Sequence, residues 1–194
     1  ARRYPNDDHG GTPLAARGAY GLSTAICLVD FSLPRALLLD LHRRGHPVLV
    51  IDHHKTAEDA LKDVPFETVF DMGHSGAVLT WQYFHPEVPV LRLLYYVEDR
   101  DLWTFKLRHS QAASMYLWSY QSSDFAVWDQ LSEAFNTPNL YSHVIPQGEA
   151  ILRYAEKQVA IMGERCTLRT IGGREMPVVN ATCPRCGLIF DPDE

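Results

Sequence analysis

PVLVIDHH, residues 47–54, is the stretch whose reading decides the fold. Val48 to Ile51 form an apolar run with no residue suited to facing water, and Asp52-His53-His54 follow at once. A strand of that composition is buried on both faces, as in a parallel sheet covered by helices. Upstream, AICLVD (25–30) is a run of the same kind and also ends in aspartate. Between the two, Ser32 and Pro34 start a helix, Leu37, Leu38, Leu39 and Leu41 fill an apolar stripe, and Gly45 ends it. Strand, short helix and strand make a βαβ unit, so the sheet is expected to be parallel with a right-handed crossover.

The alternation continues downstream. A short helix is expected over Ala57–Lys62 and a third strand over FETVFD (66–71). Ser75 caps a helix SGAVLTWQYF that stops before Pro86, and VPVLRLLYYVED (88–99) is an amphipathic helix entered through Pro89. The stretch to Phe135 reads as helical, with Trp103, Phe105, Trp118, Phe125 and Trp128 expected to pack in its core. Residues 143–162 form a long helical pattern. Beyond them CTLRTI (166–171) and MPVVNA (176–181) read as strands joined by the turn Gly172-Gly173. The expected class is α/β: a parallel-sheet domain with flanking helices over residues 1–142, a helical linker over 143–162, and an incomplete smaller C-terminal α/β domain over 163–194.

Composition bounds the function. Of 194 residues, 46% are apolar and 22% charged, which is ordinary for a globular protein and argues against disorder. No apolar run approaches the ~20 residues that span a bilayer, and no basic-apolar-small signal peptide opens the chain. The reading is a soluble cytoplasmic protein without membrane partners. A formal charge of −6 argues against coating duplex DNA, where phosphate neutralisation dominates affinity. It leaves a small phosphate ester or a short single-stranded oligonucleotide as partner, with bound cations supplying positive charge, and leaves a homodimer open. Cys27 is expected in a core strand as a small hydrophobe, and disulfides are not expected without a secretory signal. A chain beginning at Ala1 rather than Met reads as a processed product or a fragment.

Three expected strands end in acids: Asp30, Asp52 and Asp71. Ligands in open α/β sheets bind beyond the carboxyl ends of the strands. Asp71 alone reads as a helix cap, whereas Asp30 with Asp52-His53-His54 makes a convergent set of metal-type ligands. Carboxylates and imidazoles suit Mn²⁺ or Mg²⁺ better than soft metals, and two such ions about 3.5–4 Å apart can activate water while clamping a phosphoryl oxygen. Asp30, taken as the acid on the central strand, has the natural bridging role. One imidazole of the triplet can ligate a metal while its neighbour meets a phosphate or leaving oxygen. YVEDRDLW (96–103) places Glu98, Asp99, Arg100 and Asp101 at a helix end, where negative charge opposes the macrodipole unless compensated, for instance by a cation. HSGAVLTW (74–81) sets Ser75 and backbone N–H groups at a helix start, a ready anion site.

VDFS (29–32), VLVIDHHKT (48–56), DMGHSGAVLTWQYF (71–84) and YVEDRDLW (96–103) together resemble the DHH phosphoesterase superfamily. The nearest branch is the oligoribonuclease and cyclic-nucleotide phosphodiesterase-like proteins, distant relatives of the RecJ exonucleases and manganese pyrophosphatases. The resemblance spans about Ala25 to Leu168 and implies a parallel α/β domain joined by a helix to a smaller substrate-binding domain, with Mn²⁺ or Mg²⁺ in a two-metal site. Carried over by position, it implies that Asp30 bridges the metals, Asp52 begins the third motif, His53 ligates metal and His54 contacts substrate phosphate. It makes Asp99 the fourth-motif ligand, with Asp101 the alternative at the same spacing. Asp52 and His54 are then the expected catalytic pair, and His54, Ser75, His74 and Arg100 the expected phosphate contacts.

Two departures follow. The first motif of the family lies on a strand and helix ahead of Asp30, and residues 1–13 read as the segment after it; Asp7, Asp8 and His9 are poor substitutes. One metal site would then be lost. At the other end, Cys183-Pro184-Arg185-Cys186-Gly187 has the spacing of half a zinc ribbon, where four ligands are expected. The function implied is a DHH-type hydrolase, nuclease-like, cleaving short oligonucleotides or small nucleotide phosphoesters by two-metal activation of water. Pyrophosphate or polyphosphate hydrolysis, or a truncated inactive binding module, are the alternatives.

Overall fold

The computed structural model describes residues 24–120 and 124–179, together with the backbone of two short strands at 181–182 and 189–190. The Asp7–His9 segment and the Cys183/Cys186 pair lie outside the described residues. The chain divides into two units, one up to Val90 and one from Leu91.

In the first unit β1 (Ile26–Val29), α1 (Arg35–Arg43), β2 (Val48–Asp52), α2 (Lys55–Ala60), β3 (Glu67–Phe70) and α3 (Gly76–Phe84) follow one another. The strands form a sheet in the order β1-β2-β3, both pairings parallel as expected. Every residue of β2 is buried. Val48 and Val50 pack on one face with Leu28, Leu38 of α1 and Leu61, while Leu49 and Ile51 pack on the other with Leu79 of α3. Each such burial contributes about 1.5–3 kcal/mol. That two-sided demand is why the run carries no polar residue before Asp52. Gly45, at φ 89°, ends α1 in the left-handed conformation its Cβ-free backbone allows.

β1 differs from the expectation. Among the described residues it is an edge strand, and β2 rather than β1 is central. Only Leu28 of β1 is buried, and Cys27 is exposed rather than in the core. An apolar run shows that a strand can be buried on both faces; it does not show that a neighbour arrives to cover it.

The second unit is built on helices: α4 (Arg92–Asp101), α5 (Ser110–Trp118), α6 (Phe125–Asn136), a π-helical turn (Leu140–Val144) and α7 (Ile145–Glu164). Its core is Leu93, Tyr96, Tyr116, Leu131, Phe135 and Leu140 with their neighbours. At Gly148 of α7 a Cβ would sit 2.6 Å from the carbonyl carbon of Ala112, so α5 and α7 meet backbone to backbone. β4 (Thr167–Ile171) and β5 (Arg174–Val178) pair antiparallel across Gly172-Gly173, both glycines at positive φ, as a tight hairpin turn requires. β6 (Ala181–Thr182) and β7 (Ile189–Phe190) form a further antiparallel pair.

The expected aromatic core of this unit is only partly present. Trp118 is 53% exposed, Phe125 87% exposed, and Trp103 exposed as well. Trp118 and Phe125 stand at helix ends and Trp103 in a loop. At such places one side of a ring has no packing partner. Among the described residues no helix is long and apolar enough to cross a membrane.

Candidate metal centre

The parallel register places Val29 beside Ile51, so the residues that follow, Asp30 and Asp52, leave the sheet at the same edge. Asp30 still donates its N–H to Ile51 O at 2.9 Å, but its backbone turns to φ 66°, the left-handed region. Such a conformation in a non-glycine residue costs of order 1–3 kcal/mol and persists only where the surroundings impose it. Here it swings the carboxylate back over the sheet end, where Asp30 Oδ1 lies 3.1 Å from His53 Nε2.

Asp52 is fully buried. Its Oδ1 accepts the His53 N–H at 2.8 Å, the His54 N–H at 3.3 Å, and lies 2.6 Å from His54 Nδ1. Its Oδ2 is buried without a hydrogen-bond partner. An uncompensated carboxylate oxygen in the interior costs heavily unless a charge or donor meets it. Ligand atoms of Asp30, Asp52, His53 and His54 all lie within 4.8 Å of one another, the spacing of a cation site. The two imidazoles lie 4.4 Å apart between centroids, tilted by 54°, and differ in exposure: the His53 side chain is 11% exposed and that of His54 55%. The inner ring meets Asp30, and the outer one meets Asp52 through Nδ1 while keeping more than half of its side chain in solvent.

α3 begins beside this cluster. Ser75 is its N-cap, accepting the Val78 N–H at 3.3 Å, as the sequence indicated. The next residue was not singled out by sequence reading. A Cβ on Gly76 would fall 2.6 Å from Asp30 Cβ and 2.7 Å from its Cγ. Only glycine lets the first turn of α3 come this close to the Asp30 side chain, and the signal was the small Ser75-Gly76 step after His74. Asp71 behaves as a turn residue, its Oδ1 accepting the Gly73 N–H at 2.7 Å, while His74 donates its N–H to Asp71 O.

The remaining expected residues belong to the second unit. Asp99 is buried, and both its oxygens are engaged. Oδ1 accepts from the Thr104 hydroxyl at 2.5 Å and the Lys106 N–H at 2.8 Å, and Oδ2 from the Leu107 N–H at 2.9 Å. Desolvation pushes this carboxyl up, but the hydrogen bonds outweigh it and hold it below the usual carboxylate range. The macrodipole conflict at this helix end is thus met by loop donors. Arg100 lies 3.9 Å over the Trp118 ring, a cation–π pair, and Asp101 ends α4. The structure therefore gathers Asp30, Asp52, His53 and His54 in one cluster, and sets Asp99, Arg100 and Asp101 together on α4.

No established protein family matches this chain, and no solved structure does. A protein of Acanthamoeba polyphaga mimivirus, named only as uncharacterized, is 33% identical over 109 residues, covering 56% of this chain and 26% of that protein. The chain thus spans about a quarter of the length of the curated relative it matches.

Proposed function

We propose that the Asp30, Asp52, His53 and His54 cluster is the divalent-metal site of a DHH-type phosphoesterase that hydrolyses short oligonucleotides or small nucleotide phosphoesters. One observation carries the reading: Asp52, a member of a close set of carboxylate and imidazole groups, has a buried carboxylate oxygen, Oδ2, without a hydrogen-bond partner. A hard cation such as Mn²⁺ or Mg²⁺ answers that oxygen with the charge it lacks. Asp30, Asp52 and His53 are the residues that would hold it. Bound there, the cation supplies Lewis-acid polarisation of a phosphoryl oxygen and acidifies an attacking water.

The chain's own groups do the rest. The Asp52 contact at Nδ1 fixes the His54 ring, which is solvent-facing and so presented to a substrate. Held in that way, an imidazole can donate to a phosphoryl oxygen and pass a proton toward a leaving oxygen. The first turn of α3, at Ser75 and Gly76, brings the positive end of a helix dipole to the same edge, which favours an anionic ester. Asp99, the fourth-motif position that the DHH resemblance implies, has protein donors on both oxygens and is left out of the proposed ligand set, as is its alternative Asp101.

The test is hydrolysis of a short oligoribonucleotide with Mn²⁺ by the unmodified chain and by its Asp30→Ala and His53→Ala forms. Metal-dependent cleavage that disappears in both variants is expected. Cleavage that survives both, or no cleavage by the unmodified chain with either Mn²⁺ or Mg²⁺, would sink the proposal.

A further inference from the structure

Each strand of the first sheet leads into a loop at the edge that carries the Asp30, Asp52, His53 and His54 cluster. Two residues past the ends of β1, β2 and β3 stand Phe31, His54 and Met72. With β2 central and neighbouring strands about 4.8 Å apart, Phe31 and Met72 belong to the loops on either side of His54. All three are open to solvent: Phe31 is 53% and Met72 38% exposed, and the His54 side chain 55%. Neither Phe31 nor Met72 joins an apolar cluster of the described residues. A single exposed apolar residue is ordinary on a surface; here two bracket the outward imidazole of a ligand cluster.

The charge at this edge is a second observation. In the three loops (residues 30–34, 53–54 and 71–75) and the first turns of α1, α2 and α3, the permanent cations are Arg35 and Lys55. Both are engaged within the protein. The Arg35 guanidinium donates to the carbonyls of Ala60 and Lys62, past the end of α2. The Lys55 ammonium meets Glu58 at 2.5 Å and Asp59 at 3.5 Å. A polyanion such as pyrophosphate is met by several lysines and arginines, whose charge and donors match its oxygens. This edge offers acids, imidazoles and apolar side chains instead. One cation with the N-terminus of α3 suits the single charge of a phosphodiester, and an exposed aromatic ring suits a flat group carried on that ester.

We propose that Phe31 is a specificity residue of this site: its ring receives an aromatic group, such as a base, borne by a singly charged phosphodiester, and the edge turns away inorganic polyphosphate. The inference rests on the metal reading above. Calorimetric titration of the Mn²⁺-loaded full chain with diphenyl phosphate and dimethyl phosphate tests it, since the two differ in rings and not in charge. Diphenyl phosphate is expected to bind saturably, and dimethyl phosphate about tenfold or more weakly. Phe31→Ala is expected to lose about tenfold in diphenyl phosphate affinity, Phe31→Trp to retain it, and both to bind Mn²⁺ as the unmodified chain does. In hydrolysis of the dinucleotide ApA, Phe31→Ala is expected to raise KM more than it lowers kcat, and pyrophosphate is expected to release no orthophosphate. Equal affinity for the two diesters, which needs no variant to measure, overturns the proposal. So does unaltered diphenyl phosphate affinity in Phe31→Ala, or pyrophosphate cleavage as fast as that of ApA. Each of these, with Mn²⁺ bound, leaves the metal site standing, whereas a chain that binds no Mn²⁺ overturns both readings.

Discussion

Two buried aspartates, Asp52 in the first unit and Asp99 in the second, look alike in sequence and are treated in opposite ways by the fold. Asp99 has donors on both oxygens, supplied by a loop in which Trp103 and Phe105 both adopt left-handed backbone. Such bulky residues rarely accept that conformation without a strong local constraint, and the carboxylate is that constraint. Asp52 crowds its three close contacts onto Oδ1 and leaves Oδ2 bare. A satisfied buried carboxylate is a clamp. On the proposed reading an unsatisfied one is a cation ligand, and the difference lies in the second oxygen.

The comparison can be broken most directly at Asp52. Asp52→Asn keeps the shape and an acceptor for the His53 and His54 amides but removes the charge. It is expected to cut Mn²⁺ affinity by about 100-fold and to abolish the rise in melting temperature on adding Mn²⁺, with little change in the metal-free melting temperature. A retained Mn²⁺ response would make Asp52 a clamp after all.

Gly76→Ala sharpens the picture of the first site. Helix propensity alone favours alanine over glycine by about 1 kcal/mol, but the new Cβ would press on Asp30 at 2.6 Å. The half-exposed Asp30 side chain can swing aside, so the cost falls on the metal site: about a tenfold loss of Mn²⁺ affinity by titration. Gly163→Ala, with nothing within 4 Å, is the control and should leave affinity unaltered.

Asp99→Asn should do the reverse of Asp52→Asn. Its amide must turn a donor toward donors, at a cost of about 1–3 kcal/mol in denaturant unfolding. If it instead removes the Mn²⁺ response while leaving stability intact, the contrast between the two residues is wrong.

The smallest effect expected is in pH. Asp99 titrates lower in the folded chain than its ordinary 3.8, so the unfolded chain binds a proton first as pH falls. The stability this group confers is present above the unfolded value and drains away as pH drops through the folded one. Acid unfolding followed by circular dichroism should therefore lose part of its steepness below about pH 4 in Asp99→Asn.

Much of the first unit was legible in the sequence because its physics is local. The apolar runs ending at Asp30 and Asp52 needed burial, the leucine stripe needed a sheet to cover, and parallel pairing then put the two acids at one edge. Ser75 as a cap follows from a side chain bonding three residues away, whereas Asp71, read as a helix cap, instead closes a turn onto Gly73. What sequence did not carry was contact between distant backbones. The approach of Gly76 to Asp30, the donors from Lys106 and Leu107 that close around Asp99, and the position of Cys27 on a strand that is an edge among the described residues all depend on which neighbour arrives. The tryptophans were misread for a related reason. Composition says a ring is apolar but not that the fold has a second surface to lay on Trp118 or Phe125.

The left-handed backbone of Asp30 also says something about selection. At φ 66° glycine sits without penalty where aspartate is strained. A library screened for folding alone should drift to Asp30→Gly, giving a hardier chain with one fewer carboxylate in the cluster. Aspartate at that position is therefore the costlier choice for folding alone.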